Sequence, residues 1–198
     1  MIVAICIYGL PASGKSTFVT VAEEYGIPTV TMGDVVRDRA KQELTQPVTG
    51  EDIGEWATEQ RNKHGKEIMA QYTVTHIKEN NVLQNNEIVV IEGVRSLVEI
   101  KAFKNEVDAV QPVRIKSPFD RRLKRLQDRD EDRPEFSENG ITESELKKRD
   151  NREREWGLKQ LLRNNQSGEI TIHNTGTLEQ YKNEITTVIE TVQERTEA

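Results

Sequence analysis

The chain has 198 residues, of which 34% are hydrophobic and 31% charged, and a formal net charge of −6. That length suits one domain, 1–198, with a real core, and the acidity argues against broad nucleic-acid binding, which draws most of its affinity from positive charge. No apolar run approaches membrane-spanning length, and the N-terminal run is too short for a secretory leader and lacks a basic start, so the expectation is a cytoplasmic protein. The single cysteine, Cys6, excludes an internal disulfide, and it reads as a small buried hydrophobe. His64, His76 and His173 lie far apart without metal-ligand spacing and read as structural or surface residues.

In chain order, the apolar run Ile2–Tyr8 reads as a buried parallel strand. It feeds Gly9-Leu10-Pro11-Ala12-Ser13-Gly14-Lys15-Ser16, a full match to G-x-x-x-x-G-K-[ST], and a helical pattern over Lys15–Glu24 follows. A strand, a glycine-bounded turn and a helix N-terminus aim several backbone N–H groups and a helix dipole at one point, where a polyphosphate fits. Gly9 to Thr17 are therefore the candidate nucleotide-binding residues. Lys15 would bridge the β- and γ-phosphates, and the Ser16 hydroxyl would ligate Mg²⁺. The bland alternative is a glycine turn.

Strand-like runs recur at Thr29–Met32, Ile88–Glu92, Val110–Ile115 and Glu169–His173. Helical patterns fill the gaps at Val35–Lys41, Asp52–His64, Lys66–Glu79, Leu97–Asn105, Pro118–Asp128, Glu143–Leu162 and Leu178–Glu194. This alternation predicts an α/β fold: a five-stranded parallel sheet with helices on both faces and ligands at the carboxyl ends of the strands. Two stretches stand outside the sheet core. Thr45–Gly50 introduces a helical pair, and Arg129–Ile141 is charged and holds Pro134 and Gly140, which suits a loop that orders on a ligand or an ordinary surface loop. Between Arg114 and Arg163 there are fifteen Lys/Arg against twelve Asp/Glu, while the remainder holds thirteen against twenty-two. A nucleic-acid patch, a solvated helix face and a phosphate clamp all fit that local excess, and the phosphate loop favours the clamp.

The segment Gly26-Ile27-Pro28-Thr29-Val30-Thr31-Met32-Gly33-Asp34-Val35-Val36-Arg37 resembles the part of adenylate kinases that opens the nucleoside-monophosphate site. The resemblance makes Gly33 and Arg37 acceptor-binding residues, with Asp34 as a helix cap or, for a hydroxyl acceptor, a general base. Ile88-Val89-Val90-Ile91-Glu92-Gly93-Val94-Arg95 is similar to the third strand of small P-loop kinases. There Glu92 would stand near Mg²⁺ or its waters, or be a plain strand-end carboxylate, and Arg95 would reach the acceptor phosphate.

Arg122 to Arg129 and Lys148 to Glu153 flank the charged loop as arginines flank the lid of adenylate and dephospho-CoA kinases. Arg125, Arg129, Arg149 and Arg152 would stabilise the transferred phosphoryl, or lace with neighbouring acids. Ile170 to Glu179 resembles the last strand and turn of dephospho-CoA kinases, which would place Asn174 and Gly176 against the adenine, though Asn174-Thr175-Gly176 is also a good turn and helix cap.

Taken together, the chain resembles an archaeal family of P-loop kinase-like proteins related to adenylate and dephospho-CoA kinases. That resemblance implies a nucleoside-monophosphate-kinase-like P-loop NTPase with an acceptor-side helical insertion at about 35–80 and a lid at about 129–141. ATP and Mg²⁺ would be the cofactors, a nucleotide-like small molecule the acceptor, and the state monomer or homodimer. Two departures touch the acceptor pocket: Gly93-Val94-Arg95 replaces a longer Gly-x-Pro-Arg turn, and Met32 stands where those kinases carry Thr. The rival reading is a nucleotide-binding regulator that acts through a protein partner. A nucleic-acid end kinase is disfavoured by the 5% aromatic content and the acidity.

Overall fold

The computed structural model describes residues 1–44, 49–131 and 142–197, with side chains described for all of these except 129–131 and 197. Five strands, β1 (Val3–Tyr8), β2 (Thr29–Thr31), β3 (Ile88–Glu92), β4 (Ala109–Lys116) and β5 (Ile170–His173), form one parallel sheet in the order β2-β3-β1-β4-β5. β1 is the centre. It pairs with β3 from Val3↔Ile88 to Ile7↔Glu92, and with β4 from Val3↔Ala109 to Tyr8↔Arg114.

Every residue of β1 is buried, and its alternation divides the core in two. Ala4, Cys6 and Tyr8 pack with the face carrying α2 (Met32–Glu43), α3 (Gly50–His64), α4 (Ile68–Glu79) and α5 (Leu97–Lys104). Val3, Ile5 and Ile7 pack with α1 (Lys15–Glu24) and α9 (Leu178–Glu197). The last helix docks by Tyr181, Ile185, Val188, Ile189 and Val192, a spacing that makes one apolar stripe.

α6 (Phe119–Glu131) leaves the sheet after β4, and α7 (Glu143–Glu153) returns toward it. The periodicity predicts one helix over Glu143–Leu162, but the structure breaks it. A single π turn, Arg154–Leu158, separates α7 from α8 (Lys159–Arg163), with Gly157 at φ 128°. A Cβ on Gly157 would stand 2.7 Å from the Ser96 Cβ, so the close crossing of two chain segments requires glycine there. The expected loop Thr45–Gly50 is described only at its last two residues. Of the expected lid, 132–141 lies outside the described residues, and 129–131 form the last turn of α6.

Candidate active site

The loop between β1 and α1 turns through Gly9 (φ 157°), Ala12 (φ 58°) and Gly14 (φ 110°). A Cβ at Gly14 would collide with Asn174 Nδ2 and stand 3.0 Å from the Tyr181 ring, so glycine is dictated by space as well as by φ. Four consecutive loop carbonyls are tied back by side chains. Arg122 Nη1 donates to Pro11 O at 3.0 Å, and Arg125 Nη1 donates to Ala12 O at 3.2 Å. Asn174 Nδ2 and Tyr181 OH donate to Ser13 O and Gly14 O, both at 2.9 Å. Holding the carbonyls in protein contacts leaves the N–H side of the turn, and the first amides of α1, to meet an anion.

Lys15 opens α1 and folds back over the loop. Its Nζ donates to Gly9 O at 3.1 Å and Leu10 O at 3.2 Å, and it stands 3.7 Å from Glu92 Oε1. Glu92 ends β3 in register with Ile7 and Thr31, which places its carboxylate beside the loop. Ser16 is exposed in the first turn of α1. Next to the loop lies a cavity of about 550 Å³, bounded by Gly14, Thr17, Arg125, Asn174, Gly176 and Tyr181. Nucleotide and Mg²⁺ fit these residues: a loop whose glycines a Cβ would block, a lysine on it, and a hydroxyl and a carboxylate on either side.

On the other side of Glu92, Gly93 and Gly33 approach one another; a Cβ on Gly93 would lie 3.9 Å from the Gly33 N. Asp34 is not the cap expected of it. α2 begins at Met32 with Thr31 as its extended N-cap, so Asp34 lies within the first turn and its carboxylate pairs with Arg37. Arg37 remains about half exposed.

Arg95 is drawn into the protein. Its Nη1 donates to Gly93 O at 2.7 Å and its Nη2 to Glu153 at 3.2 Å, and its guanidinium lies 5.5 Å from the Trp156 ring centroid. Burial opposes its charge, but Glu153, Glu92 and Glu99 outweigh that and hold its pKa above the ordinary value. Arg61 and Arg152 complete a ring of three guanidinium groups around Trp156, at 4.4 and 5.6 Å. Arg61 faces the fully buried Glu99 across 3.5 Å. Burial pulls Arg61 down to about 10 and pushes Glu99 up, because desolvation exceeds what so long a pair returns.

The four arginines expected around the phosphoryl take different places. Arg125 sits at the loop. Arg149 is exposed on α7, and Arg152 packs against Gly54 of α3 and Trp156, on the side expected to hold the acceptor. The side chain of Arg129 lies outside the described residues.

A family model described as "AAA domain" matches residues 8–142. A "UPF0200 protein" of Methanoregula boonei is 34% identical over 94% of this chain and 96% of its own length. The chain belongs to the UPF0200 family. A "UPF0200/UPF0201 protein" of Archaeoglobus fulgidus is also 34% identical over 93% of this chain, but this chain spans only 54% of it. Among solved structures, TT1252 from Thermus thermophilus covers 96% of this chain and 97% of its own at a TM-score of 0.61 and 19% identity. A gluconokinase from Sinorhizobium meliloti 1021 covers 97% and 96% at 0.52 and 16%. These likenesses show a P-loop kinase-like α/β fold: the alternation of strands and helices predicts the α/β sheet, and the resemblance implies its kinase-like form. None of the helices among the described residues is long and apolar enough to cross a membrane.

Three residues of this UPF0200 site carry no local signal. Tyr181 is one apolar position in the stripe of α9, yet its hydroxyl holds Gly14 O. Asp150 receives both terminal nitrogens of Arg122, at 2.8 and 2.7 Å, and so ties α7 to the base of α6. Glu153 fixes Arg95. Each works through a partner at least 28 positions away, which no spacing rule reveals.

Proposed function

We propose that this UPF0200 protein is an ATP-dependent kinase acting on a small nucleotide-like acceptor, a nucleoside monophosphate or a hydroxyl compound such as dephospho-CoA. The observation that carries the reading is Lys15, held at the mouth of a loop whose four carbonyls are tied back, with Glu92 3.7 Å from its ammonium. The base and ribose of ATP would occupy the cavity beside Asn174, Gly176 and Tyr181, with the polyphosphate along Gly9–Thr17. Lys15 would leave its carbonyl partners for the β- and γ-phosphates. Ser16 and Glu92 would hold Mg²⁺ directly or through water, and the ion would offset charge on the phosphates.

In the transfer, an acceptor oxygen forms a bond to the γ-phosphorus as the bond to the β-bridging oxygen breaks, and ADP leaves. A phosphate oxygen of a monophosphate is already deprotonated and needs no base. A hydroxyl must lose its proton, and Asp34, once released from Arg37, is the carboxylate proposed to take it. Arg37 and Arg95 would hold the acceptor, Arg95 after exchange from Glu153. Arg125, Arg129, Arg149 and Arg152 are the cations offered to the phosphoryl as the 129–141 segment closes, and residues 35–80 form the acceptor side of a single kinase domain.

The test is ADP release with MgATP against a panel of nucleoside monophosphates and dephospho-CoA. Acceptor-dependent turnover that disappears in Lys15→Ala supports the proposal. Slow hydrolysis indifferent to every acceptor favours a regulatory ATPase that works through a protein partner.

A further inference from the structure

Beside the donor loop, between β4 and α8, lies a second cavity of about 330 Å³ that the kinase reading leaves unused. Arg114 and Lys116 of β4 line one side, and Arg154, Lys159 and Arg163 of the π turn and α8 line the other. Among the described residues no carboxylate lines it. None of the five cations is ion-paired to a described residue. In a chain of net charge −6 that concentration is not background.

The carboxylate just before β5, the strand beside β4, is committed elsewhere. Glu169 accepts from the Tyr8 hydroxyl, from Gln166 N at 3.1 Å and from Thr171 Oγ1 at 3.1 Å. Arg114 Nε is buried and has no hydrogen-bond partner among the described residues, an expense that an anionic ligand would remove.

The spacing describes the ligand. Arg114 and Lys116 are two apart on a strand, so they share a face about 6.6 Å apart. Lys159 and Arg163 are four apart on a helix, so they lie on adjacent turns about 6 Å apart. Two rows of cations grip an anion carrying several charges better than a single carboxylate, and the arginine forks suit phosphoryl oxygens. Leu10, Ile115 and Leu162 supply apolar lining, and the volume lies at the small end of ligand cavities. No aromatic side chain lines it, so it lacks the stacking platform a nucleic-acid strand uses.

We propose that this basic cavity binds a small molecule carrying two or more phosphoryl groups, at a site separate from the donor loop. Leu10 belongs to the donor loop and also lines this cavity, so the two sites are adjacent. The proposal stands whether or not the protein proves to be a kinase.

The test is calorimetric titration of sodium tripolyphosphate into Lys15→Ala protein, which weakens the donor loop, at about 0.1 M salt, where the Debye length is about 10 Å. The expected result is binding that weakens at least about tenfold, or about 1.4 kcal/mol, when Lys159→Gln and Arg163→Gln are added. Both residues are exposed, and an unchanged melting temperature would show the fold intact. In the otherwise native chain the same pair of substitutions should leave MgATP affinity within about twofold. No binding, or binding that ignores the two substitutions, overturns the proposal. Tighter binding of a 20-mer oligo(U) with the same dependence on Lys159 and Arg163 overturns it in favour of RNA.

Discussion

The Arg122–Asp150 pair joins the base of α6 to α7, and Asp150→Ala should expose what it does. Both side chains are almost fully buried, at 3% and 10% exposure, and two bonds of 2.8 and 2.7 Å join them. Without the carboxylate, Arg122 keeps Pro11 O and the Phe119 ring, 5.4 Å from its guanidinium, and its Nε already lacks a partner among the described residues. Stranding one member of such a pair costs about 3–5 kcal/mol, against a total stability of about 5–15 kcal/mol. With a urea dependence of about 2–3 kcal/mol per molar, the midpoint should fall by about 1–2.5 M. The melting temperature should fall by about 6–20 °C, at about 2–4 °C per kcal/mol for a chain of this size.

The assay is urea unfolding followed by far-UV circular dichroism. Arg122→Met with Asp150→Leu removes both charges and should recover most of the loss, because no charge is left buried. The double variant should still bind MgATP more weakly than the native chain, since Pro11 O is no longer held. A midpoint shift below about 0.5 M for Asp150→Ala, or a double variant no more stable than the single one, would refute this account of the pair.

Other substitutions test other links. Gly14→Ala, at φ 110° and against Asn174 and Tyr181, should abolish MgATP binding in a fluorescent-nucleotide titration and cost about 1–3 kcal/mol in a thermal melt. Gly157→Ala, at φ 128° and 2.7 Å from the Ser96 Cβ, should cost a similar amount while leaving MgATP affinity near native. Glu145 closes the N-terminal box of α7, and hydrogen bonds from the Thr142 backbone and hydroxyl hold its pKa below the ordinary carboxylate range. A depressed carboxylate contributes stability at neutral pH and loses it as pH falls through its folded-state value. Glu145→Gln should therefore melt below the native chain at pH 7, with the gap closing in acid. Lys15→Ala should melt within about 1–2 kcal/mol of the native chain and show no MgATP-dependent turnover, since its contacts are two loop carbonyls at 3.1 and 3.2 Å and one carboxylate no closer than 3.7 Å.

What the sequence reveals of this fold is what is encoded locally. α1 over Lys15–Glu24 and β3 over Ile88–Glu92 lie where the pattern predicts, because a continuous apolar run and a glycine-bounded turn need no distant partner. α7 and α8 depart from the pattern because their break is tertiary. Periodicity carries through Gly157, and only the approach of Ser96 requires the positive φ there. Asp34 departs for a different reason: the extended Thr31 starts α2 earlier, and Arg37, one turn on, takes the carboxylate that a cap would have used.

The arginines show the limit most clearly. Their number between Arg114 and Arg163 points to phosphate, but a sequence does not say which cations are already neutralised. Arg122 belongs to Asp150, and Arg95, outside that stretch, to Glu153. Arg125 serves loop carbonyls, as a positioning group for the very turn that would hold the donor. Five cations without described carboxylate partners line one cavity between β4, the π turn and α8, outside every motif that the resemblance supplies. Like charges gathered beside a nucleotide loop repel one another and draw an anion to the spot. The distribution of unpaired arginines, rather than their count, therefore directs the search for what this protein binds besides its nucleotide.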